Sequence, residues 1–252
     1  MTYERLVVEE DGRVARVWLD RPARLNALDG PALEEVIAAF DALSRRDVSV
    51  VVLGGRGSSF CAGADRKDPP GRVPPETGAS ARARRWAAQL GRRALEAIER
   101  CEAITIARLQ GHVIGGGVVL AAACDLRVAA ESTRFLIPEV ELGIPLTWGA
   151  VPRLAASVGP TLAKELILLA EPFDGARAER MGFVNRVVPD GELDGVVAAM
   201  AARVAAQPEW AVHMTKTQFR AYGRAHVLGD VTEADGDWLT AATREDPSRF
   251  SW

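Results

Sequence analysis

Ile114, Gly115, Gly116 and Gly117 run without a break into Val118, Val119, Leu120, Ala121, Ala122, Ala123, Cys124 and Asp125. Three consecutive glycines let the backbone approach a ligand with no Cβ in the way, and the Ala-rich apolar run behind them reads as the first turns of a buried helix. A helix that opens on glycine presents bare N–H groups with the positive end of the helix dipole behind them, and such an end stabilises an oxyanion. A tight turn uses the same residues, so the triplet gains its meaning from two other segments. Ser58, Ser59, Phe60, Cys61, Ala62, Gly63, Ala64 and Asp65 follow the β-branched run Ser49, Val50, Val51, Val52, Leu53. Small residues after a buried strand let the chain turn sharply and offer another backbone N–H. Further on, Ile137, Pro138, Glu139, Val140, Glu141, Leu142 and Gly143 set a carboxylate inside an otherwise apolar segment.

The 252 residues suit one large domain, or a core with a smaller appendage. The formal net charge is −3, from 34 acidic against 31 basic side chains, so no global field exists to hold nucleic acid and any anionic ligand must be bound locally. Cys61, Cys101 and Cys124 are too few and too far apart for a disulfide framework, and no CxxC pair points to a metal. Reduced cytoplasmic thiols are the expectation. The charged start of the chain, Glu4, Arg5, Glu9, Glu10 and Asp11, lacks an apolar signal core, and no uncharged run reaches about 18 residues. The reading is a protein that is not exported and has no membrane partner.

Leu6 to Val8 and Val14 to Leu19, separated by Asp11 and Gly12, read as paired strands. Asp29 is an expected N-cap ahead of Pro31, opening a helix that buries Leu33, Val36, Ile37, Phe40 and Leu43 on one face. Ser49 to Leu53 and Ile104 to Leu109 read as interior strands, and the alternation of strands with helices implies an α/β layered core. Between them, the proline- and glycine-rich stretch from Asp68 to Gly78 is expected to be a mobile loop. Arg82, Arg84, Arg85, Arg92 and Arg93 then fall on a helical pattern, either as a solvated face or as phosphate contacts. From about Asp190 the chain turns helical and Ala-rich, with one helix opened by Pro208 and a last one over Asp230 to Arg244.

The FCAGAD, IGGG and PEVELG segments, in this order and spacing, resemble the crotonase (enoyl-CoA hydratase/isomerase) superfamily. Arg21 to Leu28 (RPARLNAL) and Arg180 to Val188 (RMGFVNRVV) extend the likeness over nearly the whole chain. The resemblance implies an α/β crotonase-like (ClpP/crotonase) ββα spiral core over residues 1–190, and a C-terminal helical region over 191–252 that builds a homotrimer or hexamer. It implies an acyl-CoA thioester as substrate, with coenzyme A entering as part of that substrate and no separate cofactor. The family's oxyanion-hole pair falls on the backbone N–H groups of Ala64 and Gly116, where losing one such donor typically costs about 10² to 10³ in rate. The adenine-binding backbone falls around Arg24, Leu25, Ala62 and Asp65, and Lys216 on a C-terminal helix is a candidate for a CoA phosphate in its own or a neighbouring subunit.

Two departures from the family pattern bear on the reaction. Hydratases carry one catalytic carboxylate where this chain has Val119, and a second where it has Glu139. Two carboxylates together hold and activate the water that adds to a 2-enoyl thioester, one giving and one taking protons. Val119 can do neither. Trp148 falls where the family has a small residue beside the reacting acyl carbons, and is expected to fill the water site. A single carboxylate whose pKa is raised by an apolar pocket suits proton transfer between carbons, as in 3-enoyl-CoA to 2-enoyl-CoA isomerisation with Glu139 as shuttle. The alternatives are a one-carboxylate hydratase, rerouted through the otherwise solvated Glu141, and a non-catalytic acyl-CoA carrier. A Cys61–His112 nucleophile pair has no acid to orient it and is read as a packed cysteine beside an ordinary histidine.

Overall fold

A computed structural model describes residues 2–74, 77–223 and 237. The chain opens on β1 (Leu6–Asp11) and β2 (Val14–Leu19), an antiparallel pair in which Leu6 faces Leu19 and Asp11 faces Val14. The first strand thus runs three residues past Val8, up to the turn at Gly12. Helix α1 (Gly30–Leu43) follows, and Asp29 caps it by accepting from the Ala32 N–H at 2.9 Å. Its apolar face, Leu33, Val36, Phe40 and Leu43, is buried, with Ile37 packed at the margin.

Strand β3 (Val50–Gly55) is buried along its whole length because it is covered on both sides. Val51 and Leu53 point into one core with Phe40, Leu95 and Leu120, while Val50 and Val52 point into another with Ile106 and Val128. Period-2 alternation with apolar residues at every position is what a strand sandwiched between two layers requires. Beyond it, α2 (Ala81–Ala88) and α3 (Leu90–Arg100) lead into β4 (Ile104–Leu109), β5 (His112–Ile114), α4 (Gly116–Ala123), β6 (Leu126–Ala130) and β7 (Arg134–Leu136). Next come α5 (Ala150–Val158), α6 (Pro160–Leu169), β8 (Phe173–Asp174), α7 (Gly175–Arg180) and β9 (Arg186–Val188). Helices α8 (Leu193–Ala205) and α9 (Glu209–Gly223) complete the described chain.

The main sheet has the order β1-β2-β3-β4-β6-β9, parallel from β2 onward, and a second sheet has the order β5-β7-β8. Leu193, Val197 and Ala201 of α8 close the second core against the main sheet. Among the described residues of 66–80, only turns, bends and single helical positions occur, as the proline and glycine content requires. Three of the arginines after this stretch are held by the protein. Arg92 pairs with Glu96, Arg93 stacks on Trp86 at 4.1 Å, and Arg85 reaches Asp237 at 3.1 Å. The helix expected over Asp230 to Arg244 lies, apart from Asp237, outside the described residues. None of the described helices is long and apolar enough to cross a membrane.

Candidate active site

The segment RPARLNAL and the segment FCAGAD are zipped together by their backbones. Ala62 donates to Leu25 O at 2.9 Å, Leu28 donates to Gly63 O at 2.8 Å, and Asp65 donates to Leu28 O at 2.7 Å. Leu25 and Asn26 both take left-handed backbone conformations, which turn the chain sharply enough to make this match. Asn26 is buried and holds the turn, donating to Arg56 O and Ser59 O while accepting from the Arg21 N–H. Arg24 and Leu25 lie exposed, Ala62 half-buried and Asp65 buried, and the backbone bonds above bring the two segments that carry them side by side. Asp65 is drawn inward by Arg21 at 2.9 Å. Burial pushes its pKa up, but donation from Lys67 N–H and from Arg21, together with the Arg21 charge, brings it below the ordinary carboxylate value.

The FCAGAD turn packs on the glycine triplet. Cys61 donates to His112 O at 3.0 Å and accepts from Ile114 N–H at 2.9 Å, a parallel bridge that ends where the triplet begins. Gly63 has φ +89°, and a Cβ on it would stand 2.8 Å from Ile114 O and 3.5 Å from Gly116 N. The Gly63–Ala64 turn and the start of α4 therefore meet at van der Waals distance. Among the described residues, neither the Ala64 N–H nor the Gly116 N–H has an acceptor within the chain. Gly116 is the first residue of α4, whose end carries unsatisfied donors by construction.

Each glycine of the triplet meets a different neighbour. A Cβ on Gly115, which has φ +49°, would lie 2.6 Å from Glu139 Oε1. One on Gly116 would lie 2.7 Å from the Trp148 ring and 3.3 Å from Leu28 Cδ1. One on Gly117 would lie 2.6 Å from Cys61 O. Gly116 and Gly117 are thus required by close approach and Gly115 by its left-handed backbone, and the triplet draws Glu139, Trp148 and the FCAGAD turn to one point. Glu139 Oε2 is buried with no hydrogen-bond partner. Burial pushes the Glu139 pKa from 4.5 to about 7, opposed only by a backbone hydrogen bond within the residue. Glu141, two residues on, is exposed.

Val119 lies one turn along α4 and is buried in the apolar core, 1% exposed, where it offers no group for proton transfer. Lys216 departs from its expected place. Its ammonium is buried and donates to Ala103 O and to Asp125 Oδ2, both at 2.7 Å, so it anchors α9 to the core and is not offered to a phosphate. Asp125 follows the far end of α4, a helix of eight residues that spans about 12 Å from the Gly116 end. The Cys61 thiol is fully buried, accepts from the Gly63 N–H at 3.3 Å and is pushed up to about 12 by desolvation, which makes it a packing group. His112 Nδ1 lies 3.1 Å from Ser59 Oγ and makes no pair with Cys61. Two residues that hold the turn after Trp148 carried no signal in the sequence. Arg153 donates to Gly149 O at 2.7 Å and, with both Nε and Nη2, to the Glu99 carboxylate at 2.6 Å. That pair spans 54 positions and could be found only in three dimensions.

A family model, enoyl-CoA hydratase/isomerase, matches residues 9–251. A probable enoyl-CoA hydratase of Mycobacterium tuberculosis is 36% identical over 217 residues, 86% of this chain and 81% of that protein. A peroxisomal Delta(3,5)-Delta(2,4)-dienoyl-CoA isomerase of Arabidopsis thaliana is 35% identical over 223 residues, 85% of this chain and 80% of its own length. The crystal structure of a putative enoyl-CoA hydratase from Thermobifida fusca in complex with acetoacetyl-CoA superimposes with a TM-score of 0.80 at 30% identity, over 97% of this chain and 95% of that one. With a match of this length, and with the glycine triplet, the FCAGAD turn and Glu139 converging as described, this chain belongs to the enoyl-CoA hydratase/isomerase family of enzymes and has the crotonase fold.

Proposed function

We infer that the protein isomerises 3-enoyl-CoA to 2-enoyl-CoA thioesters with Glu139 as the single proton shuttle. The observation that carries this reading is the buried carboxylate of Glu139 against Gly115, its Oε2 without a partner, together with an apolar Val119 where a hydratase would bring a second carboxylate. The thioester carbonyl acidifies the protons on C2. Glu139 takes one of them, the electron pair passes onto the thioester oxygen as a dienolate, and the N–H groups of Ala64 and Gly116 hold that oxygen. The same carboxyl then returns the proton to C4, and the double bond comes to rest between C2 and C3. A pKa near 7 suits a group that must both take and give a proton at neutral pH. Exposed Arg24 and Leu25, with Ala62 and Asp65, are the surface on which the CoA adenine would rest, and coenzyme A belongs to the substrate.

A thioester carrier would gain nothing from a buried carboxylate without a partner, since burying one costs several kcal/mol. Hydration is the competing chemistry, and relatives bearing hydratase names keep it in view. Incubation with 3-enoyl-CoA and with 2-enoyl-CoA in deuterated water, followed by mass analysis, separates them. Deuterium uptake with double-bond migration and no added oxygen is expected. A 3-hydroxyacyl product as the main outcome would overturn the isomerase reading.

A further inference from the structure

We propose that Trp148 is a specificity-determining residue that closes the acyl site beside Gly116, and that the Arg153–Glu99 pair positions it there. The proposal rests on the acyl-CoA reading above. The Trp148 ring lies between two glycines of different elements. A Cβ on Gly91 of α3 would stand 2.1 Å from the ring, and one on Gly116 of α4 would stand 2.7 Å from its opposite edge. Only glycine at both positions admits an indole, so the ring has a slot shaped for it. Trp148 also has φ +60° and is followed by Gly149 at φ +72°, two successive left-handed residues. A bulky residue holds such a conformation only where its surroundings fix it, and strain of this kind concentrates at ligand sites.

Arg153 supplies the constraint. Its guanidinium is buried and donates to Gly149 O at 2.7 Å, with Trp148 O at 3.5 Å. Its other two nitrogens grip Glu99, which belongs to α3, the same helix that carries Gly91. The bidentate pair ties the left-handed turn to the helix on which the ring rests, and a planar fork holds direction better than a lysine point charge. With Leu28 Cδ1 on the same side of Gly116, ring and leucine form a wall next to the amide expected to hold the thioester oxygen. Any branch on the first acyl carbons that turned toward this wall would collide with it. The substrates this geometry admits are straight-chain enoyl thioesters, unbranched next to the carbonyl.

The test uses unreactive saturated thioesters as competitive inhibitors: butanoyl-CoA as the straight probe and 2-methylbutanoyl-CoA and phenylacetyl-CoA as the bulky ones. In the native enzyme butanoyl-CoA should bind at least about tenfold more tightly than either bulky probe. Trp148→Ala, and Trp148→Phe if the alanine variant fails to fold, should bring that ratio toward one by improving the bulky probes. Arg153→Met should move the ratio in the same direction, and Arg153→Lys should restore it only in part. A role in stability alone would lower the melting temperature and leave the ratio where it was. A ratio unchanged in folded Trp148 variants overturns the wall. A ratio unchanged in Arg153→Met, with Trp148→Ala effective, overturns the positioning role. Should butanoyl-CoA bind no form of the protein, the acyl-CoA reading falls and takes the wall with it.

Discussion

A carboxylate with one oxygen sealed from water and bonded to nothing is costly to keep, and the proposed proton-shuttle role gives Glu139 a reason to be there. Its pKa is raised from 4.5 to about 7, so the folded protein holds the proton more tightly than the unfolded chain does. The stability this lends is fully present below about pH 4.5 and is lost as the pH rises through 7; above that the folded state carries a buried charge at a cost of up to about 3 kcal/mol. Catalysis by the proposed shuttle has the opposite dependence, since the base must be ionised. Glu139→Gln separates the two. Isomerase turnover should fall at least about a hundredfold, while the melting temperature at pH 8 should equal or exceed that of the native enzyme. Unchanged turnover would move the shuttle elsewhere, and a variant markedly less stable at pH 8 would mean the carboxylate has a structural partner. For the native enzyme, turnover at saturating substrate should rise with an apparent pKa near 7, and a flat profile between pH 5.5 and 8.5 would contradict the assignment.

At the scale of elements, α9 illustrates what a local reading finds and what it misses. The ammonium of Lys216 is buried against Asp125, which also accepts from the Thr105 N–H at 2.7 Å and from Thr105 Oγ1 at 2.8 Å. Lys216→Met therefore removes one partner of a mostly buried pair. Two donors remain on Asp125, which is also partly exposed, so the loss should be about 2 kcal/mol, below the 3–5 typical of a charge left wholly alone. Urea unfolding measures it, and CoA affinity per folded molecule should stay within about twofold; a large fall in affinity with stability intact would return Lys216 to the phosphate. The sequence pointed to a lysine on a helix but carried no sign of Asp125, 91 positions away. By contrast β1, β2, α1, β3, β4 and the start of α4 were legible, because each is set by a local pattern: alternation, a cap, or an apolar run. The short strands β5, β7 and β8, of three, three and two residues, were not, since segments that brief take their shape from the partners they meet. Glu139, Ala64, Gly116 and Trp148 could be named through the family resemblance, whereas Arg153 and Glu99 depend on a contact that no spacing encodes.

At the scale of the whole molecule, the same helix has its polarity reversed. Glu209, His213, Lys216 and Arg220 recur at helical spacing and face the body of the protein, where they meet Arg13, Glu102 and Asp125. The outer side carries Trp210, 76% exposed, Phe219, 72% exposed, and Met214. A surface helix normally buries its apolar stripe and shows its charges to water. The inverted arrangement is what a helix needs if charges dock it to its own subunit and apolar residues dock it to another, and large aromatic side chains left in water on its flanks mark interaction sites. With a net charge of only −3, repulsion between copies is small. We therefore propose a homotrimer or a dimer of trimers in which α9 lies at the interface. Light scattering behind size exclusion at micromolar concentration should give three or six times the chain mass of 27.1 kDa. Trp210→Glu, which puts a charge in the proposed contact while leaving the inward polar stripe intact, should shift the protein to smaller species without unfolding it. A native protein that elutes with the mass of one chain would refute the assembly and leave the inverted helix to be covered from within its own subunit.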